Sequence, residues 1–203
     1  MAMKILIAAN SVIADDIEYS AFDKVICCDG GLMYVQNDVI PDAIIGDFDS
    51  VDEKELGNFK NKSEIVFKNN QDESDLSFAL KYCLNYNPSE IVITGAISSD
   101  RFDHSFCNAL LLKQIPAHIK AKITTNTQDI FYVKQNKQFL NNVGKTVSII
   151  PLTNCERIQT NGLKWEINGS LNFGFINGIS NVIISKNATI SVKNGELLVI
   201  IEK

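Results

Sequence analysis

The 203-residue sequence has no apolar run approaching the roughly 18 residues that a membrane-crossing helix needs. Its five cysteines (Cys27, Cys28, Cys83, Cys107 and Cys155) are odd in number, contain no CxxC pair and sit mostly in apolar runs. Neither a disulfide framework nor a zinc site is expected from them, and a reducing cytoplasm is the compartment they fit. The 19 lysines and arginines are scattered among 24 acids, for a net charge of -5, so a nucleic-acid surface has no support. A metal ion or a small solute is the charged partner this balance favours. There is no GxxxxGKS/T loop and no GxGxxG fingerprint, so any nucleotide is held by other means. With only two histidines, His104 and His118, no Ser-His-Asp or Cys-His arrangement can be assembled. The opening residues MAMKILIAANSVIADD lack the apolar stretch and cleavage site of a secretory signal and read as a buried strand. No repeat or low-complexity tract appears.

What is present is an ordinary globular composition, 45% hydrophobic and 21% charged, patterned in two ways. In the first part KILIAA, KVICC, DAIIG, EIVF, EIVITGA and AKITT are short, rich in β-branched residues and apolar throughout, the pattern of strands buried on both faces. Between them lie helix-compatible segments, Asp52–Lys60 and Asp75–Tyr86, the second carrying Leu76, Ala79, Leu80, Cys83 and Leu84 at three- and four-residue spacing. Alternating strands and helices imply a mostly parallel sheet. From about Ile130 the helical period disappears, and FYV, TVSIIP, GLKWEI, SLNFGF, NVIIS, ATISV and ELLVII read as short strands between Asn, Gly and Ser turns. Asn194-Gly195 between TISVK and ELLVII is a strong hairpin signal. The expected organisation is an α/β domain over 1–128 and an all-β domain over 129–203.

Ligands of open parallel sheets bind beyond the carboxyl ends of the strands, and those positions are acidic here. Asp29-Gly30-Gly31 follows KVICC, Asp47-Phe48-Asp49-Ser50 follows DAIIG, Asp72-Glu73-Ser74-Asp75 precedes a helix, and the loop after EIVITGA ends Asp100-Arg101-Phe102-Asp103-His104. If the backbone stays extended, Asp47 and Asp49 project on the same side, a grouping of hard oxygens that suits Mg²⁺. The same four residues also fit a solvated turn in which Asp49 or Ser50 caps the next helix. Asp72 is placed as a helix N-cap, with Asp75 in the first turn, and Asp75 can also project toward Asp47. Gly30 and Gly31 allow a tight turn or close approach to a phosphate or ring. Arg101 is the one cation among these acids, suited to grip phosphate or to pair with Asp100 or Asp103. His104 reads as a helix-start residue after a cap at Asp103, and Trp165, the sole tryptophan, as a core strand residue.

In order along the chain, these segments resemble the thiamine pyrophosphokinase family. That family typically shows D-G-G after the second strand, P-D-x-I-x-G-D-F-D-S, D-x-T-D opening a helix, G-A-x-G-G-R-x-D-H, then G-L-K-W/Y and an S-x-S-N-like segment. This sequence has Asp29-Gly30-Gly31, Pro41 through Ser50, Asp72 through Asp75, Gly95-Ala96 with Arg101 through His104, Gly162 through Trp165, and Ile179-Ser180-Asn181. It departs in the Ile97-Ser98-Ser99-Asp100 loop, one residue longer and without the glycine pair, and in Val182-Ile183-Ile184, where an aromatic often follows the S-N pair.

The resemblance implies an α/β domain followed by a β-sandwich, a homodimer with active sites at the subunit interface, and transfer of pyrophosphate from ATP to the thiamine hydroxyl. It implies Asp47, Asp49 and Asp75 as Mg²⁺ ligands and, with Arg101, as catalytic residues. It places Asp29, Gly30, Gly31, Asp72, Arg101, Asp103 and His104 on the nucleotide side, and Trp165, Ser180 and Asn181 against thiamine. A diphosphotransferase for another alcohol and a non-catalytic thiamine or nucleotide sensor are the alternatives.

Overall fold

The computed structural model describes residues 2–48, 53–69 and 72–203, and the chain divides into two compact units, Met1–Asn126 and Thr127–Lys203. In the first unit the apolar runs become β1 (Lys4–Ala8), β2 (Lys24–Cys28), β3 (Ala43–Gly46), β4 (Glu64–Phe67), β5 (Glu90–Thr94) and β6 (Lys120–Thr124). They pair in parallel in the order β6-β5-β1-β2-β3-β4. The direction of strand succession reverses between β1 and β5, which places the topological switch there.

Pleating sends neighbouring residues of one strand to opposite faces. Ala8, Cys27 and Ile44 share a cluster with Leu32 and Val35 of the short helix α1 (Leu32–Val35) and with Phe59, beyond helix α2 (Glu53–Gly57). On the other side Cys28 meets Cys83 of α3 (Asp75–Leu84), whose Leu76, Ala79, Leu80 and Cys83 are buried at the spacing that the sequence showed. Helix α4 (Phe102–Leu111) follows the β5 loop. The strand β4 departs from expectation: EIVF is half-exposed, not covered on both faces, because β4 is the edge of its sheet.

The second unit is a sandwich of two antiparallel sheets. One orders β12-β9-β14-β7, from β7 (Gln128–Val133), β9 (Thr146–Pro151), β12 (Asn181–Val182) and β14 (Leu197–Glu202). The other orders β11-β10-β13-β8, from β8 (Asn136–Leu140), β10 (Cys155–Asn161), β11 (Asn168–Leu171) and β13 (Asn187–Ser191). Alternating residues of both, among them Val147, Ile149, Ile158, Ile190 and Val199, close one core between the sheets.

Three readings of this half need correction. Asn194-Gly195 does not close a hairpin, since β13 pairs with β10 and β8 while β14 pairs with β7 and β9. The turn, with Gly195 at φ 111°, carries the chain from one sheet to the other. GLKWEI is a loop joined to the sandwich by an isolated Leu163–Ile183 bridge, and NVIIS contributes a strand only at Asn181–Val182. The polar strands β8 and β10 escape the sequence pattern, because their exposed faces dilute the apolar signal.

Candidate functional site

The carboxyl edge of the parallel sheet is built by close backbone approach. Asp29 starts a 3-10 turn at φ 42°, which folds Gly30 and Gly31 back onto the end of β1. A Cβ on Gly31 would lie 2.4 Å from the Ala8 carbonyl oxygen, and one on Gly30 would meet the Asn10 side chain at the same distance. Gly31 is therefore demanded by backbone atoms, whereas at Gly30 only the end of the Asn10 side chain would have to move aside. Gly46, at the end of β3, leaves room for Asp29 in the same way, with its missing Cβ 3.0 Å from the Asp29 Cβ. Asp29, buried, thus stands directly beside the strand end from which Asp47 emerges.

Between Asp47 and Asp49 the chain is not extended: Phe48 has φ 61°. Its ring turns into the α1 side of the core and lies 5.9 Å from Phe67, so apolar packing sets this bend. The premise for projecting Asp47 and Asp49 side by side fails at Phe48, and Asp49 and Ser50 themselves lie outside the described residues.

The segment Asp72–Asp75 is organised differently from the sequence reading. Ser74, not Asp72, is the N-cap of α3, its hydroxyl accepting from Ser77 N at 3.2 Å. Asp72 lies exposed two residues before the cap. Asp75 begins the helix, and its carboxylate and that of Asp29 both lie close enough to Cys28 to push that thiol's pKa up, after the larger effect of burial.

The residue that sequence reasoning missed is Lys68. It directly follows β4, and its backbone N–H donates to the Gly46 carbonyl at 2.8 Å, tying it to the end of β3. Its side chain is 4% exposed; the ammonium donates to the Glu73 carbonyl at 2.8 Å and lies 2.9 Å from Asp75 Oδ1. The Asp75 contact is an ion pair at hydrogen-bond distance without hydrogen-bond direction, which leaves lone pairs of this buried oxygen undirected. The signal was available, since Lys68 occupies the strand-end position that was read after β2, β3 and β5. Glu73 also binds the Lys81 ammonium, and that partner holds its carboxyl below the usual range.

The loop after β5 ends at Arg101. Its guanidinium forks Asp103, Nε to Oδ1 at 3.1 Å and Nη2 to Oδ2 at 2.9 Å, and Nη2 also meets His104 Nε2 at 2.5 Å. The Arg101 hydrogen bond holds the Asp103 carboxyl down at about 2. Arg101 is the N-cap residue of α4, and Asp103 lies in the first turn instead of capping. The long Ile97–Asp100 stretch is closed by Ser98 and Ser105, which exchange two hydrogen bonds of 2.9 Å, and by Ser11 Oγ donating to the Ile97 carbonyl at the switch point.

In the sandwich, Trp165 is 56% exposed, contrary to a core role, because the 162–166 segment is a loop and not a strand. Lys164 Nζ sits 4.6 Å from its ring centroid. Asn181, 3% exposed, clamps this loop: Oδ1 accepts from Trp165 N at 3.1 Å and Nδ2 donates to the Trp165 carbonyl at 2.6 Å. Glu166 braces the other side, accepting from Leu163 N and from Thr160 Oγ1. Ser180 is exposed at φ 55°, its N–H donating to Ser148 Oγ.

The acids are hard oxygen donors of the kind Mg²⁺ takes, and the undirected lone pairs of Asp75 Oδ1 fit such an ion. Among the described residues no three of His, Cys, Asp or Glu converge as a closed metal cage, which is compatible with an ion held by one or two carboxylates plus substrate phosphates. No described helix is long and apolar enough to cross a membrane.

Comparison with known proteins bears on both units. The chain is 28% identical over 176 residues to the thiamine pyrophosphokinase of Bacillus subtilis (strain 168), covering 80% of this chain and 78% of that protein. The crystal structure of thiamine pyrophosphokinase from Bacillus subtilis superposes with a TM-score of 0.86 at 24% identity, over 98% of this chain and 99% of that one. A thiamin pyrophosphokinase family protein from Enterococcus faecalis gives a TM-score of 0.87 at 21% identity over 100% and 99%, and the yeast enzyme 0.76 at 17% over 99% and 86%. These structures share the fold. Residues 18–125 match the description "Thiamin pyrophosphokinase, catalytic domain", and residues 130–197 match "Thiamin pyrophosphokinase, vitamin B1 binding domain". With both of its units matched in order, the chain belongs to the thiamin pyrophosphokinase family and is an enzyme of that kind.

Proposed function

We propose that this protein transfers the pyrophosphoryl group of ATP to the hydroxyl of thiamine, giving thiamine diphosphate and AMP, with Mg²⁺ as the metal. The observation that carries the reading is the convergence of Asp29, Lys68 and Asp75 around the Gly46-Asp47 strand end, at the carboxyl edge where an α/β sheet binds its ligands. Asp47 and Asp75, with Asp49, hold the ion against the polyphosphate. When bound, Mg²⁺ offsets the charge that grows on the phosphate oxygens during transfer. The thiamine oxygen bonds to the β-phosphorus as the bridging bond to the α-phosphate breaks and AMP leaves. Arg101, with Asp103 and His104 beside it, steadies the phosphates; Asp29, Gly30, Gly31 and Asp72 line the nucleotide side. Positioning of this sort supplies most of the catalysis in phosphoryl transfer.

The α/β domain, 1–128, binds ATP and metal in this reading, and the sandwich, 129–203, binds thiamine. Trp165 already carries the Lys164 ammonium over its ring, so its face suits the cationic thiazolium of thiamine, with Ser180 alongside and Asn181 holding the loop in place. The working form is a homodimer with interfacial sites, supported by exposed apolar residues such as Phe102, Phe106, Phe173, Phe175 and Ile176. Sedimentation should give about twice 22.5 kDa. The five cysteines, all free thiols, fit a cytoplasmic setting.

The test is AMP release from ATP and Mg²⁺ with and without thiamine. Thiamine-dependent release that is lost in Asp47→Asn, Asp49→Asn and Asp75→Asn, each still folded, supports the assignment. Near wild-type activity in two of the three refutes the metal roles. Release with another alcohol and none with millimolar thiamine moves the enzyme to a different acceptor.

A further inference from the structure

Lys68 is a lysine with almost no exposed surface whose ammonium lies 2.9 Å from one of the acids read as a metal ligand. Long charged side chains rarely bury unless paired, and here the pairing is specific. The backbone of Lys68 is pinned to the end of β3, while the ammonium reaches across to the Glu73 carbonyl and the Asp75 carboxylate at the start of α3. It therefore joins two of the elements that bear the site's acids.

Resting on the metal reading above, we infer that Lys68 is a positioning residue that sets the divalent-cation affinity of this site by standing as an internal cation against Asp75. With no ion present, the buried ammonium neutralises Asp75 and ties the start of α3 to the residue that follows β4. A divalent ion arriving at Asp75 then faces two options. Either it shares the carboxylate with Lys68 and is repelled by it, or it displaces the ammonium and breaks the pair. Both oppose the ion, so Lys68 raises the cation concentration at which the site fills. A metal that arrives already bound to polyphosphate brings negative charge that the displaced ammonium can meet, so the same residue favours metal–nucleotide over free metal.

The experiment is a titration of the full chain, freed of metal by chelation, with Mn²⁺, an oxygen-seeking paramagnetic ion whose free concentration is read by electron spin resonance. Lys68→Met keeps the aliphatic stem and removes the charge; Lys68→Gln is a second neutral variant should the first not fold. Either is expected to bind Mn²⁺ at least about tenfold tighter than wild type, because a like charge at one shared carboxylate opposes the ion by more than that even at an effective dielectric near 20. Without metal the variant should melt at a lower temperature than wild type, and Mn²⁺ should restore it more than it stabilises wild type. A purely structural lysine would give the lower melting temperature without tighter binding. Asp75→Asn separates the two claims. If it weakens Mn²⁺ binding while the folded neutral variants bind no tighter than wild type, the role of Lys68 is overturned and the metal reading stands. If Asp75→Asn leaves Mn²⁺ binding unchanged, the metal reading fails and the inference falls with it.

Discussion

Asn181 offers the sharpest way to separate a ligand contact from a structural clamp. Its side chain makes three hydrogen bonds while almost fully buried: it accepts from Trp165 N at 3.1 Å and Val182 N at 2.9 Å and donates to the Trp165 carbonyl at 2.6 Å. Asn181→Ala removes all three, and at about 1 kcal/mol net for each bond the loss comes to about 3 kcal/mol. Asn181→Asp has nearly the same shape and keeps both accepted bonds, but it places an oxygen where the amide faced a carbonyl. Two oxygens at that separation repel, so the aspartate should cost at least as much as the alanine. Urea unfolding followed by tryptophan emission is the assay, since Trp165 is the only tryptophan and sits in the clamped loop. The midpoint should fall in both variants, and the native emission should shift as the loop loosens. If both variants stay within about 0.5 kcal/mol of wild type yet bind thiamine poorly, the clamp argument is wrong and Asn181 acts on ligand directly.

Ser74→Ala should lower stability by about 1 kcal/mol, whereas Asp72→Ala should leave it nearly unchanged, because the cap hydroxyl belongs to Ser74; thermal melts of the two variants decide it. A thiol reagent on the native protein at pH 8 should find one fast cysteine, the exposed Cys107, with the buried thiols reacting only on unfolding, and burial pushing Cys27 and Cys83 up to about 12 reinforces this. Asp103 should titrate at about 2 against 3.8 for an ordinary aspartate. Its depressed value means that the Arg101 pair contributes above the unfolded value and is lost as pH falls from there through about 2; an NMR titration showing an ordinary Asp103 would contradict the fork.

The helical and strand periodicity of the first half was readable because each element carries its own pattern: β-branched runs for buried strands, and Leu76, Ala79, Leu80 and Cys83 at helical spacing for α3. The two-part architecture and the acidic strand ends were readable for the same local reason. What the chain could not announce is which distant backbones approach one another. Gly31 reads as a tight turn after a strand, but that the Ala8 backbone needs its missing Cβ is visible only in the fold. Asn194-Gly195 has the local chemistry of a hairpin, yet the sheets compete for its two strands and separate them. EIVF looks doubly buried because apolarity is local, while its place at the sheet edge is decided by strand order. Lys68 is the same lesson at the site: a lysine after a strand is unremarkable by itself, and only the approach of the start of α3 to the residue after β4 turns it into a buried cation on Asp75. Local periodicity and strand-end chemistry belong to the sequence alone; pairing, edges and the partners of buried charges belong to contacts between residues far apart in it, which only the tertiary structure decides.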